Sequence, residues 1–135
     1  YLALDEKLAR RLILAISSPV ALPPMAGFNR SLAALRELGC RLALDHFGHG
    51  GASIDVAMAL RPEVLILDRG LLWRAASSGA QLTLLNHVTA LARTLAPNVV
   101  IRGIETSEHL QLARRAGATH GQGRYFGSDD RMDMS

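Results

Sequence analysis

The sequence predicts an α/β fold in which short buried strands alternate with helices. Nearly continuous apolar runs of strand length recur along the chain, a pattern typical of strands covered on both faces. Segments with apolar residues at three- and four-residue steps separate these runs and indicate helices. Single helices between consecutive strands favour parallel pairing with right-handed crossovers. On this pattern alone, an open doubly wound sheet and a (β/α) barrel remain equally compatible.

Five apolar runs are the predicted strands, and they lie at 12–17, 41–46, 64–68, 98–102 and 119–122. A first helix is predicted over 30–38, because leucines recur there on one side. Gly39 follows this helix, at the position where a left-handed residue commonly ends one. Ser53 is placed to cap a second, short helix, which Pro62 prevents from continuing.

Two further helices are predicted in the second half of the chain. The segment 80–95 carries apolar residues at helical spacing and ends before a proline. The last helix is predicted over 108–116, with Thr106 or Ser107 as its N-cap. Gly117 is expected to close it.

The length and composition of the chain limit how many hydrophobic cores it can form. With 135 residues and 49% hydrophobic content, the chain is long enough for one core and too short for two. The mean hydropathy is +0.16, yet no apolar run approaches the roughly 18 residues of a membrane span. Burial against protein therefore explains the apolar character. The chain begins at Tyr1 without a signal-like start, so we expect a domain from a longer protein.

The charge pattern argues against nucleic-acid binding. The net charge is +3 and the isoelectric point is near 9.7, but the arginines are scattered along the chain. Aromatic residues make up only 4%, so a basic stripe interleaved with stacking platforms is not predicted. The single cysteine, Cys40, excludes a disulfide within the chain and is interpreted as a small buried hydrophobe.

Three blocks carry a family resemblance, namely LALDHFGHGGAS, VLILDR and IRGIETSEHLQLARRAGATHGQGRYF. In their order and spacing they resemble the EAL domain, the family of bacterial phosphodiesterases that hydrolyse cyclic di-GMP. The resemblance implies the C-terminal part of a TIM-like (β/α) barrel of EAL type, with about five strands and alternating helices. It also implies that residues 1–135 are a partial EAL domain, the second half of the barrel, with no second domain. The name-giving motif would fall before Tyr1.

Active members resemble two-metal hydrolases, in which carboxylates and an asparagine hold Mg²⁺ or Mn²⁺ ions that activate water. The resemblance implies that this chain has lost five positions of that machinery, at Ala15, Ser18, His46, Ile66 and Arg102. Ala15 replaces a metal-binding glutamate, and Arg102 replaces the glutamate assigned as general base. Arginine stays protonated and repels divalent cations, so no catalytic residue is expected.

Five polar residues are the candidates for ligand binding, namely Asp45, Asp68, Arg102, Glu105 and Gln122. Asp45 is also the sole metal-ligand candidate. Each residue has a structural alternative: Asp45 and Asp68 can bond loop amides, Glu105 can cap a helix, and Gln122 can lie in a tight turn. Arg102 can hold a phosphate or pair with Asp68 or Glu105.

These losses predict a catalytically inactive EAL-type domain that acts as a regulatory, interaction or cyclic di-GMP-binding module in bacterial signal transduction. The alternative is an active cyclic di-GMP-specific phosphodiesterase that gives linear pGpG, uses Mg²⁺ or Mn²⁺ and is completed by upstream residues. Without activity, no cofactor is expected. The expected partners are cyclic di-GMP, other proteins or a second copy of the chain, with sensory or GGDEF domains fused upstream. The expected location is the cytoplasm, including the cytoplasmic part of a membrane-tethered protein.

Overall fold

The computed structural model describes residues 13–17, 26–48, 53–127 and 131–133. Its strands form one sheet in sequence order, and they are β1 (Ile13–Ser17), β2 (Arg41–Phe47), β3 (Val64–Leu67), β4 (Asn98–Arg102), β5 (His120–Gln122) and β6 (Arg131–Asp133). Neighbours from β1 to β5 pair in parallel, and β6 pairs antiparallel with β5. The α/β class and the five predicted strands are confirmed, whereas β6 was not predicted. The sequential strand order is that of a (β/α) barrel wall, since a doubly wound sheet reverses its order.

Helices connect the strands, and they are α1 (Ala26–Glu37), α2 (Ser53–Leu60), α3 (Arg69–Ala75), α4 (Gly79–Leu95) and α5 (Ser107–Ala116). A 3₁₀ turn at Arg124–Phe126 follows β5. The α1 helix begins earlier than the predicted 30–38, and α3 was not predicted. No helix in the described part of the chain is long and apolar enough to cross a membrane.

The predicted helix ends at α5 are confirmed in detail. The Thr106 hydroxyl is the N-cap and accepts a hydrogen bond from the backbone N–H of His109 at 3.1 Å. Gly117 follows the helix with φ +103°, a left-handed conformation that glycine adopts without strain. These caps fix where the chain leaves α5 and returns to β5.

The sheet has apolar residues on both faces. The larger cluster packs β-strand residues such as Leu65 and Ile101 against helix residues such as Leu72 and Leu85. Among the side chains that the structure describes, a smaller cluster on the other face contains Ala43, Val64, Ile66 and Val100. Because side chains alternate along a strand, residues two positions beyond this smaller cluster project on the same face. The candidate site lies there.

An ion-pair network links the N-terminal ends of β2 and β3, opposite the candidate site. Arg36 donates to the carbonyl oxygens of Leu60 and Arg61 at 2.6 and 2.5 Å, and it pairs with the carboxylate of Glu63. Glu63 also accepts the backbone N–H of Leu42 at 2.6 Å. Burial alone would raise the pKa of Glu63, but the hydrogen bonds from Leu42 and Arg36 outweigh it and lower the pKa below its ordinary value.

Candidate functional site

A β-bulge shapes the C-terminal end of β2. Leu44 pairs with Leu65 and Phe47 pairs with Leu67, so Asp45 and His46 together oppose one residue of β3. His46 has φ +58°, which is uncommon for a residue with a side chain. The bulge leaves Asp45 buried and His46 exposed, and it returns Phe47 to the core.

Arg102 joins three strands at this edge of the sheet. Its Nη1 lies 2.7 Å from Oδ2 of Asp45, and its Nε donates to Oε1 of Gln122 at 3.2 Å. Oδ1 of Asp45 accepts the backbone N–H of His46 at 2.7 Å, so both carboxylate oxygens have partners. The sequence predicts Asp68 or Glu105 as the partner of Arg102, whereas the structure shows Asp45. The β-bulge that positions Asp45 has no recognisable signature in the sequence.

Asp68 lies just beyond β3, whereas the predicted strand included it. It is the N-cap of α3, and its Oδ2 accepts the backbone N–H of Gly70 at 3.2 Å. Its Oδ1 lies 3.5 Å from Nδ1 of His46, whose Nε2 lies 3.9 Å from Oδ2 of Asp45. His46 therefore stands between two carboxylates. Together with Arg69 and Arg102, His46 and Asp68 line a cavity of about 290 Å³.

A second cleft of about 370 Å³ lies between α3 and the ends of β4 and β5, lined by Arg69, Trp73, Arg102, Gly103, Glu105, Gln122, Gly123 and Arg124. Glu105 faces this cleft, and the N-cap of α5 is its neighbour Thr106. The Glu105 carboxylate lies 3.9 Å from Nε of Arg124. Among the described residues, three guanidinium groups and one carboxylate thus line the cleft, so this part of its lining has a net positive charge.

The resemblance also marks Ile66, Ala15 and Ser18 as lost positions. Ile66 is buried in the small apolar cluster, so this part of the site has an apolar floor. Ala15 lies in β1 level with Ala43, and its side chain is outside the described part. Ser18 lies outside the described residues.

The described residues do not fit a two-metal centre. Two hard cations close together need many oxygen ligands and an excess of negative charge. Among the described residues, no group of three or more His, Cys, Asp or Glu side chains is arranged to hold a metal ion. Asp45, the metal-ligand candidate, instead contacts a guanidinium at 2.7 Å.

Sequence reasoning missed three cleft residues, Arg69, Trp73 and Arg124. Arg69 directly follows Asp68, and Arg124 follows Gln122 and a glycine, so both stand just beyond strand ends where parallel sheets place their sites. Trp73 lies in the helix that was not predicted. Position relative to the strand ends was the signal available for the two arginines.

Comparison with known proteins gives a consistent result. An uncharacterized protein of Azorhizobium caulinodans is 33% identical over 97 residues, which are 72% of this chain and 13% of that protein. The cyclic di-GMP phosphodiesterase TpdA of Vibrio parahaemolyticus is 24% identical over 126 residues, 93% of this chain and 22% of TpdA. The chain thus spans less than a quarter of the length of either curated relative.

Solved structures match the fold closely. A cyclic di-GMP complex of the PaMucR phosphodiesterase superposes with a TM-score of 0.76 and 26% identity, covering 93% of this chain and 50% of that one. A manganese and cyclic di-GMP complex of BlrP1 from Klebsiella pneumoniae gives a TM-score of 0.75 at 24% identity, covering 87% and 30%. The family model described as the EAL domain matches residues 2–129. This chain belongs to the EAL domain family.

Proposed function

We propose that this EAL domain is catalytically inactive and acts in cyclic di-GMP signalling by binding or by protein contact. The observation that carries the proposal is the ion pair between Arg102 and Asp45, at 2.7 Å. By resemblance, Arg102 stands at the position of the general base and Asp45 at that of a metal ligand. A permanent cation at this distance opposes both roles.

The surroundings of the pair support the same conclusion. Gln122 accepts a hydrogen bond from Arg102 at 3.2 Å, so the guanidinium is held from two sides. Ile66 lies on the same face of β3, where the family pattern has a lysine beside the reactive water. Hydrolysis of a phosphodiester depends on preorganised charges around the transferring group. By resemblance, Arg102 replaces the base, and Asp45, at a ligand position, is paired with Arg102. The described residues therefore supply few of the charges that hydrolysis needs.

Two non-catalytic modes are compatible with the proposal. In the first, the domain holds cyclic di-GMP without metal, with arginine charge in place of cations. The arginine-lined clefts beside Arg102 support this mode, since guanidinium groups bind phosphate oxygens in a forked geometry. In the second mode, the nucleotide no longer binds and the domain contacts a protein partner.

Calorimetric titration with cyclic di-GMP, in the presence and absence of Mn²⁺, separates these modes. Binding that is unaffected by Mn²⁺ identifies the nucleotide-binding mode, and absence of binding in both titrations identifies the contact mode. In the binding case, Arg102→Met should weaken the affinity, while Arg115→Met on the exposed side of α5 should leave it unchanged. Binding that requires Mn²⁺ and disappears in Asp45→Asn would contradict the proposal.

A further inference from the structure

We infer that a groove at the amino ends of β3 and β4 docks an acidic protein segment that carries apolar side chains. The groove, of about 440 Å³, lies between the C-terminal ends of α2 and α4, and Pro62 and Pro97 line it where each helix leads into its strand. The pair of Arg102 and Asp45 lies at the opposite, carboxyl end of the strands. The inference therefore goes beyond the proposed function and does not depend on the state of that pair.

Apolar side chains form much of the groove. Met58 is 62% exposed, more than any other large hydrophobic side chain that the structure describes. Ala57 and Leu95 line the groove together with it and with the two prolines. Methionine and arginine are enriched at protein contacts, and methionine adapts its shape to the surface it meets. Because these residues line one groove and are not scattered, they indicate a contact surface for another molecule.

Arg61, which also lines the groove, has a backbone conformation that a residue with a side chain rarely adopts. It directly follows α2 with φ +48°, at a position where glycine is the usual residue. Its backbone N–H donates to the carbonyl oxygen of Ala57 at 2.9 Å, and its own carbonyl oxygen accepts from Arg36 at 2.5 Å. Glycine would form both bonds with less strain, so the fold does not require the arginine side chain. A side chain carried at a strained position indicates a role outside the fold.

The end of the sheet that carries the groove has an excess of cationic residues in the described part of the chain. Helices end and strands begin there, and more arginines than acidic residues lie at such positions. The arginines are Arg36, Arg41, Arg61, Arg93, Arg114 and Arg115, and the acidic residues are Glu37, Glu63 and Asp133. Positive charge attracts acidic partners and speeds their association. A second copy that packed with the same groove would bring like charge, so a symmetric dimer is disfavoured here.

Arg41 and Arg61 have guanidinium groups available to a partner. Arg36 is already paired with the Glu63 carboxylate, whose other oxygen accepts the backbone N–H of Leu42. The side chains of Arg41 and Arg61 are instead exposed, and within the described residues no hydrogen bond or ion pair engages them. Arg61 lines the groove, and Arg41 precedes Leu42 at the start of β2. A carboxylate of a docked segment can pair with either guanidinium.

An acidic protein segment satisfies both the charge and the apolar lining. Its carboxylates would pair with Arg41 and Arg61, while a large apolar side chain would fill the groove beside Met58. An anionic membrane surface would use the arginines alone, since it has no shape that enters a groove between two helices. Nucleic acid would lack stacking partners, because the described lining contains no aromatic side chain. The groove therefore favours a protein partner.

Selection from a random-peptide display library on the full-length protein tests the inference without assuming a partner sequence. The same library is selected in parallel on the double variant Met58→Ser with Arg61→Gln. We expect only the wild type to enrich peptides that combine Asp or Glu with large apolar residues. Fluorescence anisotropy of a labelled peptide from this selection then measures the Kd, which should rise with added salt.

Single variants assign the binding to these side chains. Arg41→Gln and Arg61→Gln should each weaken the peptide about threefold, as expected for an exposed ion pair, and Met58→Ser about tenfold. Arg61→Gly should weaken binding as Arg61→Gln does, while its urea midpoint stays at or above that of the wild type, because glycine suits the left-handed backbone. Arg74→Gln on α3 and Leu84→Ser near the start of α4, both at exposed positions outside the groove, are the matched controls.

Three results would overturn the inference. The first is a selection in which the wild type enriches no acidic peptides beyond those of the double variant, and the second is equal peptide affinity in the wild type and all groove variants. The third is binding to phosphatidylglycerol vesicles that Arg41→Gln and Arg61→Gln weaken and Met58→Ser does not, which would assign the arginines to a lipid surface. The groove variants leave Arg102 and Asp45 in place, so none of these results bears on the proposed inactivity.

Discussion

Arg102 reaches across β3 to contact Asp45, with 2.7 Å between its Nη1 and the carboxylate Oδ2. The two residues lie on β4 and β2, and Ile66 lies on the same face of the intervening strand. One side chain thus pairs with a buried carboxylate, at the position where the resemblance places a general base. This contact has consequences for both stability and function.

The first prediction concerns the energy of that contact. Arg102→Met leaves the buried carboxylate of Asp45 without its cationic partner, so we expect a loss of about 1–3 kcal/mol in the free energy of unfolding. Urea denaturation measures this value. In the double variant with Asp45→Asn, the loss should be smaller than the sum of the two single losses, because the variants share one interaction. Additive losses would show that the pair is not coupled.

The second prediction compares two glycines with positive φ. Gly127→Ala places a Cβ in open space, so only backbone strain of about 1–3 kcal/mol is expected. Gly123→Ala adds an overlap with the backbone of Ile104, which no side-chain movement relieves. We therefore expect Gly123→Ala to destabilise the fold clearly more than Gly127→Ala in thermal or urea unfolding. Equal losses would mean that the loops after β4 and β5 are not locked together.

The third prediction concerns the pH dependence of the free energy of unfolding. Because the folded-state pKa of Glu63 is lowered, its stabilising effect is complete above the unfolded-state pKa and is lost as the pH falls through the folded-state pKa. The difference in unfolding free energy between the wild type and Glu63→Gln should therefore shrink on acidification from neutral pH to below the ordinary glutamate pKa. Glu37→Gln, an exposed carboxylate at the end of α1, is the control. A constant difference would contradict the network around Arg36.

The fourth prediction tests the cap of α5. Thr106→Ala removes the hydroxyl that accepts from the His109 N–H, and a loss of about 1 kcal/mol in unfolding free energy is expected. Thr94→Ala, at an exposed position inside α4, should be neutral or slightly stabilising because alanine has the higher helix propensity. If both variants have the same effect, Thr106 does not act as a cap.

Local sequence signals predicted most elements of the fold. The strand at 98–102 was placed with its observed bounds, because a buried apolar run there ends at a polar residue. The helix α3 was missed because its seven residues are too few to display a helical period. Its start depends on Asp68 acting as an N-cap, whereas the sequence prediction assigned that residue to the strand.

The candidate site was harder to predict, because its contacts join residues far apart in sequence. Asp45, Arg102 and Gln122 were all named from the sequence, and the structure brings them together. Their pairing was not foreseen, because it depends on the β-bulge in β2 and on the register between strands. Strand ends identify which residues meet at an edge, but only the tertiary register fixes which atoms touch.

Incubation of the full-length protein with cyclic di-GMP and Mn²⁺, followed by chromatographic detection of linear pGpG, tests the central claim most directly. We propose that the Arg102–Asp45 ion pair stands at the position where the resemblance places the base, and we therefore expect no product above a control without protein. Formation of pGpG that is abolished by Asp45→Asn would contradict the account.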